Sequence, residues 1–74
     1  MKKVIIDMNI QHGQPIIEGT RVPVAVILGA LAAGMTAEQI RYEYDVTDED
    51  IQAALRYAAD LAADEQIIPI KKTS

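Results

Sequence analysis

The chain has no cysteine, so neither a disulfide framework nor a thiolate metal site can hold it together. Phenylalanine and tryptophan are also missing, and three tyrosines are the whole aromatic complement of 74 residues. Half of the chain is hydrophobic, much of it alanine, which suits tight helix packing better than a deep pocket. A chain of this size buries only about 60% of the surface it exposes when unfolded. The isolated monomer is therefore expected to be marginal, with association the remaining source of stability. Long apolar runs are absent too. The longest, Val22 to Ala33, contains Pro23 and Gly29 and is too short to span a bilayer. Asp7 ends the first apolar run before a signal-peptide core can form. The chain reads as cytoplasmic, with no membrane partner.

Cations are scarce and unevenly placed. Residues 1 to 35 set Lys2, Lys3 and Arg21 against Asp7 and Glu18, a balance of +1. Residues 36 to 65 set nine acids against Arg41 and Arg56, a balance of -7. Lys71 and Lys72 follow, for a net charge of -4. An acidic segment of that density repels phosphate backbones, which proteins bind mainly through Lys and Arg. A basic protein surface is the complementary partner, although the same acids could simply solvate helix faces and cap helix starts.

Val4-Ile5-Ile6 and Pro15-Ile16-Ile17-Glu18 read as two arms of a hairpin around the turn-prone stretch Asn9 to Gln14. A first helix can begin at Pro23, whose missing N–H costs nothing there, and Gly34 is a suitable left-handed stop. Between them Val24, Ile27, Leu28 and Leu31 recur at the spacing of one buried face. Thr36-Ala37-Glu38-Gln39 has the pattern of a capping box and predicts a second helix to about Tyr44, with Ala37, Ile40 and Tyr44 inward. Thr47-Asp48-Glu49-Asp50 starts a third in the same way, running to about Asp64. Its main apolar stripe is Ile51, Ala54, Leu55, Ala58 and Ala62. A second stripe, Ala53, Tyr57 and Leu61, exceeds what three helices need and is a candidate contact with another chain. Gln66 to Ile70 reads as an edge strand, because Pro69 cannot donate to a ladder.

The expected fold is α+β, mostly α, in one domain spanning residues 1–74. It comprises an N-terminal β-hairpin region (1–22), a three-helix core of homeodomain-like, helix-turn-helix type (23–65) and a short C-terminal edge strand with tail (66–74). A homodimer is expected, with Val4, Ile6, Tyr57, Leu61, Ile67, Ile68 and Ile70 as interface candidates, since strand addition across chains satisfies edge backbone groups.

Chemistry of a catalytic kind is hard to find. The single histidine, His12, sits beside Gly13 in a predicted turn with no nucleophile arranged around it. Asp48, Glu49 and Asp50 are consecutive on a helix, so they point about 100° apart and cannot converge on one ion. No P-loop, dinucleotide fingerprint or zinc spacing is present. The chain reads as a non-enzyme without a cofactor or metal. The outline of two helices joined by a tight link resembles a helix-turn-helix, but its second helix opens with three carboxylates where base edges and phosphates would lie.

The stretch Gly13-Gln14-Pro15-Ile16-Ile17-Glu18-Gly19-Thr20-Arg21-Val22-Pro23-Val24 resembles the signature of the domain of unknown function family 433, a widespread group of small prokaryotic proteins. The resemblance continues through Ala33-Gly34-Met35-Thr36-Ala37-Glu38-Gln39-Ile40 and through Tyr44 to Ala59, nearly the whole chain. His12 departs from it, since members often carry a second glycine there. The family is similar to antitoxins of VapBC-like type II pairs, often encoded beside a PIN-like ribonuclease. The resemblance therefore implies an antitoxin-like binding protein with a homeodomain-like core that neutralises such a nuclease. Arg21, Glu38, Arg41, Glu49 and Arg56 are the candidate partner-binding residues, with Arg21 the first choice as a probe of the nuclease's carboxylates. A DNA-binding regulator of helix-turn-helix type that controls its own operon is the alternative reading, with DNA held weakly or only by the complex. A dimeric module with no nuclease partner is the third.

Overall fold

The computed structural model describes residues 2–64. The expected strand at Gln66 to Ile70, with Ile67, Ile68 and Ile70, lies outside the described residues. The chain is mostly helical. A two-stranded antiparallel hairpin, β1 (Val4–Ile6) and β2 (Pro15–Ile17), precedes α1 (Val24–Ala32), α2 (Ala37–Tyr44) and α3 (Asp48–Asp64).

The hairpin register sets Val4 opposite Ile17, Ile5 opposite Ile16 and Ile6 opposite Pro15. Between the arms, Gln11, His12 and Gly13 form a one-turn helix of left-handed residues, at φ 52°, 56° and 82°. At Gly13 it is the left-handed backbone that favours glycine, since a Cβ placed there would crowd only the flexible, exposed Met8 side chain, 2.8 Å from its sulfur. After β2 the chain turns back and Pro23 pairs with Ile16, which keeps Pro23 extended. Helix α1 therefore starts one residue later than its proline suggests, with Pro23 as its N-cap.

Each helix boundary follows local chemistry. At the end of α1, Met35 N–H reaches the Ala30 carbonyl at 3.1 Å and Gly34 N–H that of Leu31 at 3.0 Å. With Gly34 at φ 94°, this is a Schellman ending. Thr36 and Gln39 close the predicted capping box of α2 reciprocally, at 3.1 and 2.9 Å. Asp45, in the left-handed region at φ 54°, ends α2. Thr47 and Asp50 then form a second reciprocal pair at the start of α3.

The core is one cluster of Ile17, Val24, Ile27, Ala30, Ile40, Val46, Ile51, Ala53 and Ala54. Three expected faces are corrected by it. In α1 the small Ala30 takes the inner position, while Leu28 and Leu31 pack half-buried at its margin. In α2 only Ile40 is fully inside, with Tyr44 half-buried and Ala37 exposed. In α3 the buried arc is Asp50, Ile51, Ala53 and Ala54, so Leu55 turns outward at 41% exposure and Ala62 is exposed beyond the core. The proposed second stripe is divided by the same rotation: Ala53 is core, Tyr57 packs half-buried against it, and Leu61 is 51% exposed.

Candidate partner interface

Arg21 is carried by a turn whose stiffness the sequence Gly-Thr-Arg explains. Gly19 supplies φ 82°, and Thr20 N–H donates to the Ile17 carbonyl at 3.0 Å. The Thr20 hydroxyl donates to the same carbonyl at 2.8 Å and accepts from Val22 N–H at 3.0 Å. The Gln11 amide donates to the Arg21 carbonyl at 3.3 Å, tying this turn to the left-handed one. Thr20 and the Arg21 backbone thus fix the loop. The exposed Arg21 guanidinium makes no ion pair among the described residues.

A second group lies where α2 meets α3. Arg41 reaches across the link and pairs with Asp48. Glu38, one turn before Arg41, and Glu49, next to Asp48, are exposed, and Glu49 has a polar partner of its own. Asp50, the third acid of the run, is buried. Its Oδ2 accepts the Thr47 N–H at 2.9 Å, its own N–H donates to Thr47 Oγ1 at 3.1 Å, and Oδ1 faces the Lys2 ammonium at 3.3 Å. Burial pushes the Asp50 carboxyl up, but the Thr47 N–H and hydroxyl and the Lys2 charge outweigh it and hold the pKa below the usual aspartate value. All three carboxylates that open α3 therefore have polar partners: Asp48 has Arg41, Asp50 has Thr47 and Lys2, and Glu49 has its own.

Arg56 stands apart from both groups. It lines a cleft of about 340 Å³ with Lys2, Lys3, Val4, Ala53, Tyr57 and Asp60, between the start of β1 and the outer flank of α3. Four of these, Ala53, Arg56, Tyr57 and Asp60, share one face of α3 at helical spacing. The sequence gives that face away through Ala53 and Tyr57. Nothing in it indicates that Lys2 and Lys3 lie opposite. The structure thus places Arg41 and Glu49 at one helix junction with Glu38 close by along α2, but brings neither Arg21 nor Arg56 to it through an ion pair. Among the described residues no group of three or more His, Asp or Glu is arranged to hold a metal ion. Nor is any described helix long and apolar enough to cross a membrane.

These features define a mostly helical unit of three helices on an N-terminal hairpin, with charged groups gathered where α2 meets α3. Residues 4–58 match the family described as "Protein of unknown function (DUF433)", and the chain belongs to that family. Its match ends inside α3, so hairpin, left-handed turn, capping boxes and core are all within the family unit. Among curated proteins, the chain is similar to "Putative antitoxin VapB45" of Mycobacterium tuberculosis (strain ATCC 25618 / H37Rv), at 38% identity over 52 residues. The aligned part is 70% of this chain and 22% of the relative, so the chain spans about a fifth of that protein's length. No solved structure matches.

Proposed function

We propose that this chain is an antitoxin of a type II toxin-antitoxin pair, a cytoplasmic, non-enzymatic protein that neutralises a PIN-like ribonuclease by direct contact. The observation that carries the antitoxin role is the 38% identity to the mycobacterial antitoxin over 70% of the chain. The surface supports the mode of action. A nuclease of that kind holds its metal on clustered carboxylates within a basic, RNA-binding rim. Exposed acids on α2 and α3, Glu38 and Glu49 among them, complement such a rim, and the exposed Arg21 side chain on its stiff turn, with no ion pair among the described residues, can reach the carboxylates. Arg41 and Arg56 complete the contact surface. The active unit in this reading is a homodimer.

The test is calorimetry of Arg21→Ala against the toxin encoded in the adjoining reading frame. Affinity is expected to fall by about 2 kcal/mol, the loss of a desolvated charge pair, with the melting temperature unchanged. Unchanged affinity with a lower melting temperature assigns Arg21 to the fold and removes it from the contact.

The second reading, a DNA-binding regulator with a homeodomain-like helix-turn-helix, gains from one observation. With Asp50 buried against Lys2 and Asp48 paired to Arg41, the start of α3 repels phosphate less than its sequence implies. Gel shifts with the chain's own upstream DNA separate the readings. Binding only when toxin is present keeps the first, and tight binding by the chain alone favours the second.

A further inference from the structure

The first strand carries an edge with a defined pairing code. In antiparallel ladders, residues alternate between pairs that exchange hydrogen bonds and pairs whose N–H and C=O groups point away. Glu18 N–H donates to the Lys3 carbonyl at 2.8 Å, which makes Lys3 opposite Glu18 a bonded position. Ile17 N–H turns the other way, to the Val22 carbonyl at 3.2 Å, and Pro15 has no N–H at all. The bonded pair within the hairpin is therefore Ile5 with Ile16. The N–H and C=O of Val4 and of Ile6 point outward along the side of β1 that no strand covers among the described residues. Ile6 is 63% exposed there, and a hairpin of two strands is marginal by itself.

We propose that this edge is the surface through which two copies of the chain join, antiparallel, in one register: Ile5 on the twofold axis, Val4 against Ile6 of the partner subunit, and Lys3 against Asp7 of the partner subunit. The proposal rests on the homodimer of the preceding section and specifies how that dimer is made. Only this register brings the outward groups of Val4 and Ile6 into bonded pairs twice over. Shifting it so that Val4 meets Val4, or Ile6 meets Ile6, leaves a charged residue opposite an isoleucine. Parallel pairing sets Lys3 beside Lys3. The stretch Lys3-Val4-Ile5-Ile6-Asp7 has a cation at one end and an anion at the other, so it is complementary to its own reverse.

The side chains are free for these contacts. Lys3 is exposed and makes no ion pair among the described residues. Among the described residues Asp7 engages only Oδ1, which accepts the Asn9 N–H at 2.9 Å. Alternation puts Ile6 on the face of Val4, which borders the cleft over Ala53 and Tyr57. Ile6 of the partner subunit would lie beside Val4 and cover apolar surface on both copies.

Sedimentation equilibrium on the full chain tests this. Lys3→Glu and Asp7→Lys each replace two attractions by two repulsions and should weaken the dimer about tenfold or more. An equimolar mixture of the two variants should associate again, as should the doubly substituted chain, because each restores opposite charges across the axis. Ile6→Pro removes an outward N–H without touching the hairpin's own bonds and should abolish the dimer. In the unmodified chain, amide exchange at Val4 and Ile6 should slow as concentration rises through the association range, a readout independent of any variant. A dimer indifferent to Ile6→Pro, or exchange at Val4 and Ile6 that ignores concentration, overturns the register and leaves the homodimer to another face such as that of Leu61. A monomer at all concentrations overturns both.

Discussion

At the scale of single residues, Asp50 carries the most consequence. It caps α3, sits in the core layer beside Ile51 and faces Lys2 from the far end of the chain. Asp50→Ala is expected to destabilise the fold by about 2 kcal/mol, through the lost cap and the stranded Thr47 N–H, measured by urea unfolding. The pH dependence follows from the lowered pKa. A carboxyl depressed in the folded state stabilises above its unfolded pKa, ~3.9, and that contribution is lost as pH falls through the folded value. Stability should therefore hold from neutral pH down to about pH 5 and drop as pH falls further through the folded value, and Asp50→Asn should flatten that drop. His12 offers a prediction of the opposite sign. A side chain at φ 56° is strained where glycine is not, so His12→Gly should raise stability by roughly 0.5–1 kcal/mol, read as a higher melting temperature.

At the scale of elements, the boundaries were legible because they are written in short-range chemistry. Thr36 with Gln39, Thr47 with Asp50, and Gly34 each specify a helix end through groups three to five residues apart, and all three close as the sequence implies. Thr36→Ala should cost about 1 kcal/mol. Gly34→Ala should cost roughly 1–2 kcal/mol by conformation alone, since a Cβ there meets no atom within 4 Å. The rotation of each helix was less legible. Leu55 fits the periodic stripe of α3 as well as Ala54 does, yet Ala53 and Ala54 enter the core and Leu55 turns outward, because the packing of α1 and the hairpin on α3, which no local spacing records, sets the helix's rotation. Ile51→Ala is expected to cost about 2–4 kcal/mol, whereas Leu55→Gln should stay near 0.5 kcal/mol, in thermal melts of the two variants. The candidate site divides in the same way. Arg21 stood out from its Gly-Thr-Arg setting, but the Arg41–Asp48 bridge, the Lys2–Asp50 clamp and the cleft at Arg56 join residues from separate elements, and no local pattern announces such meetings.

At the scale of the whole molecule, the helices connect through short links while the hairpin returns to the last of them. Contacts between α1, α2 and α3 arise among near neighbours, but β1 and α3 meet across more than forty residues. The Lys2–Asp50 pair spans that separation. Closing so long a loop early is entropically unfavourable, so the ordering of events in refolding should place the helical core first and the clamp last. Lys2→Met is then a kinetic probe. It should leave the refolding rate almost unchanged and speed unfolding about fivefold, because an interaction absent from the transition state is felt only on the way out. Stopped-flow chevrons of the variant would show that asymmetry as a shift confined to the unfolding limb. The tie between the first residues and the third helix would then govern how long a folded molecule lasts once formed, more than how quickly it forms.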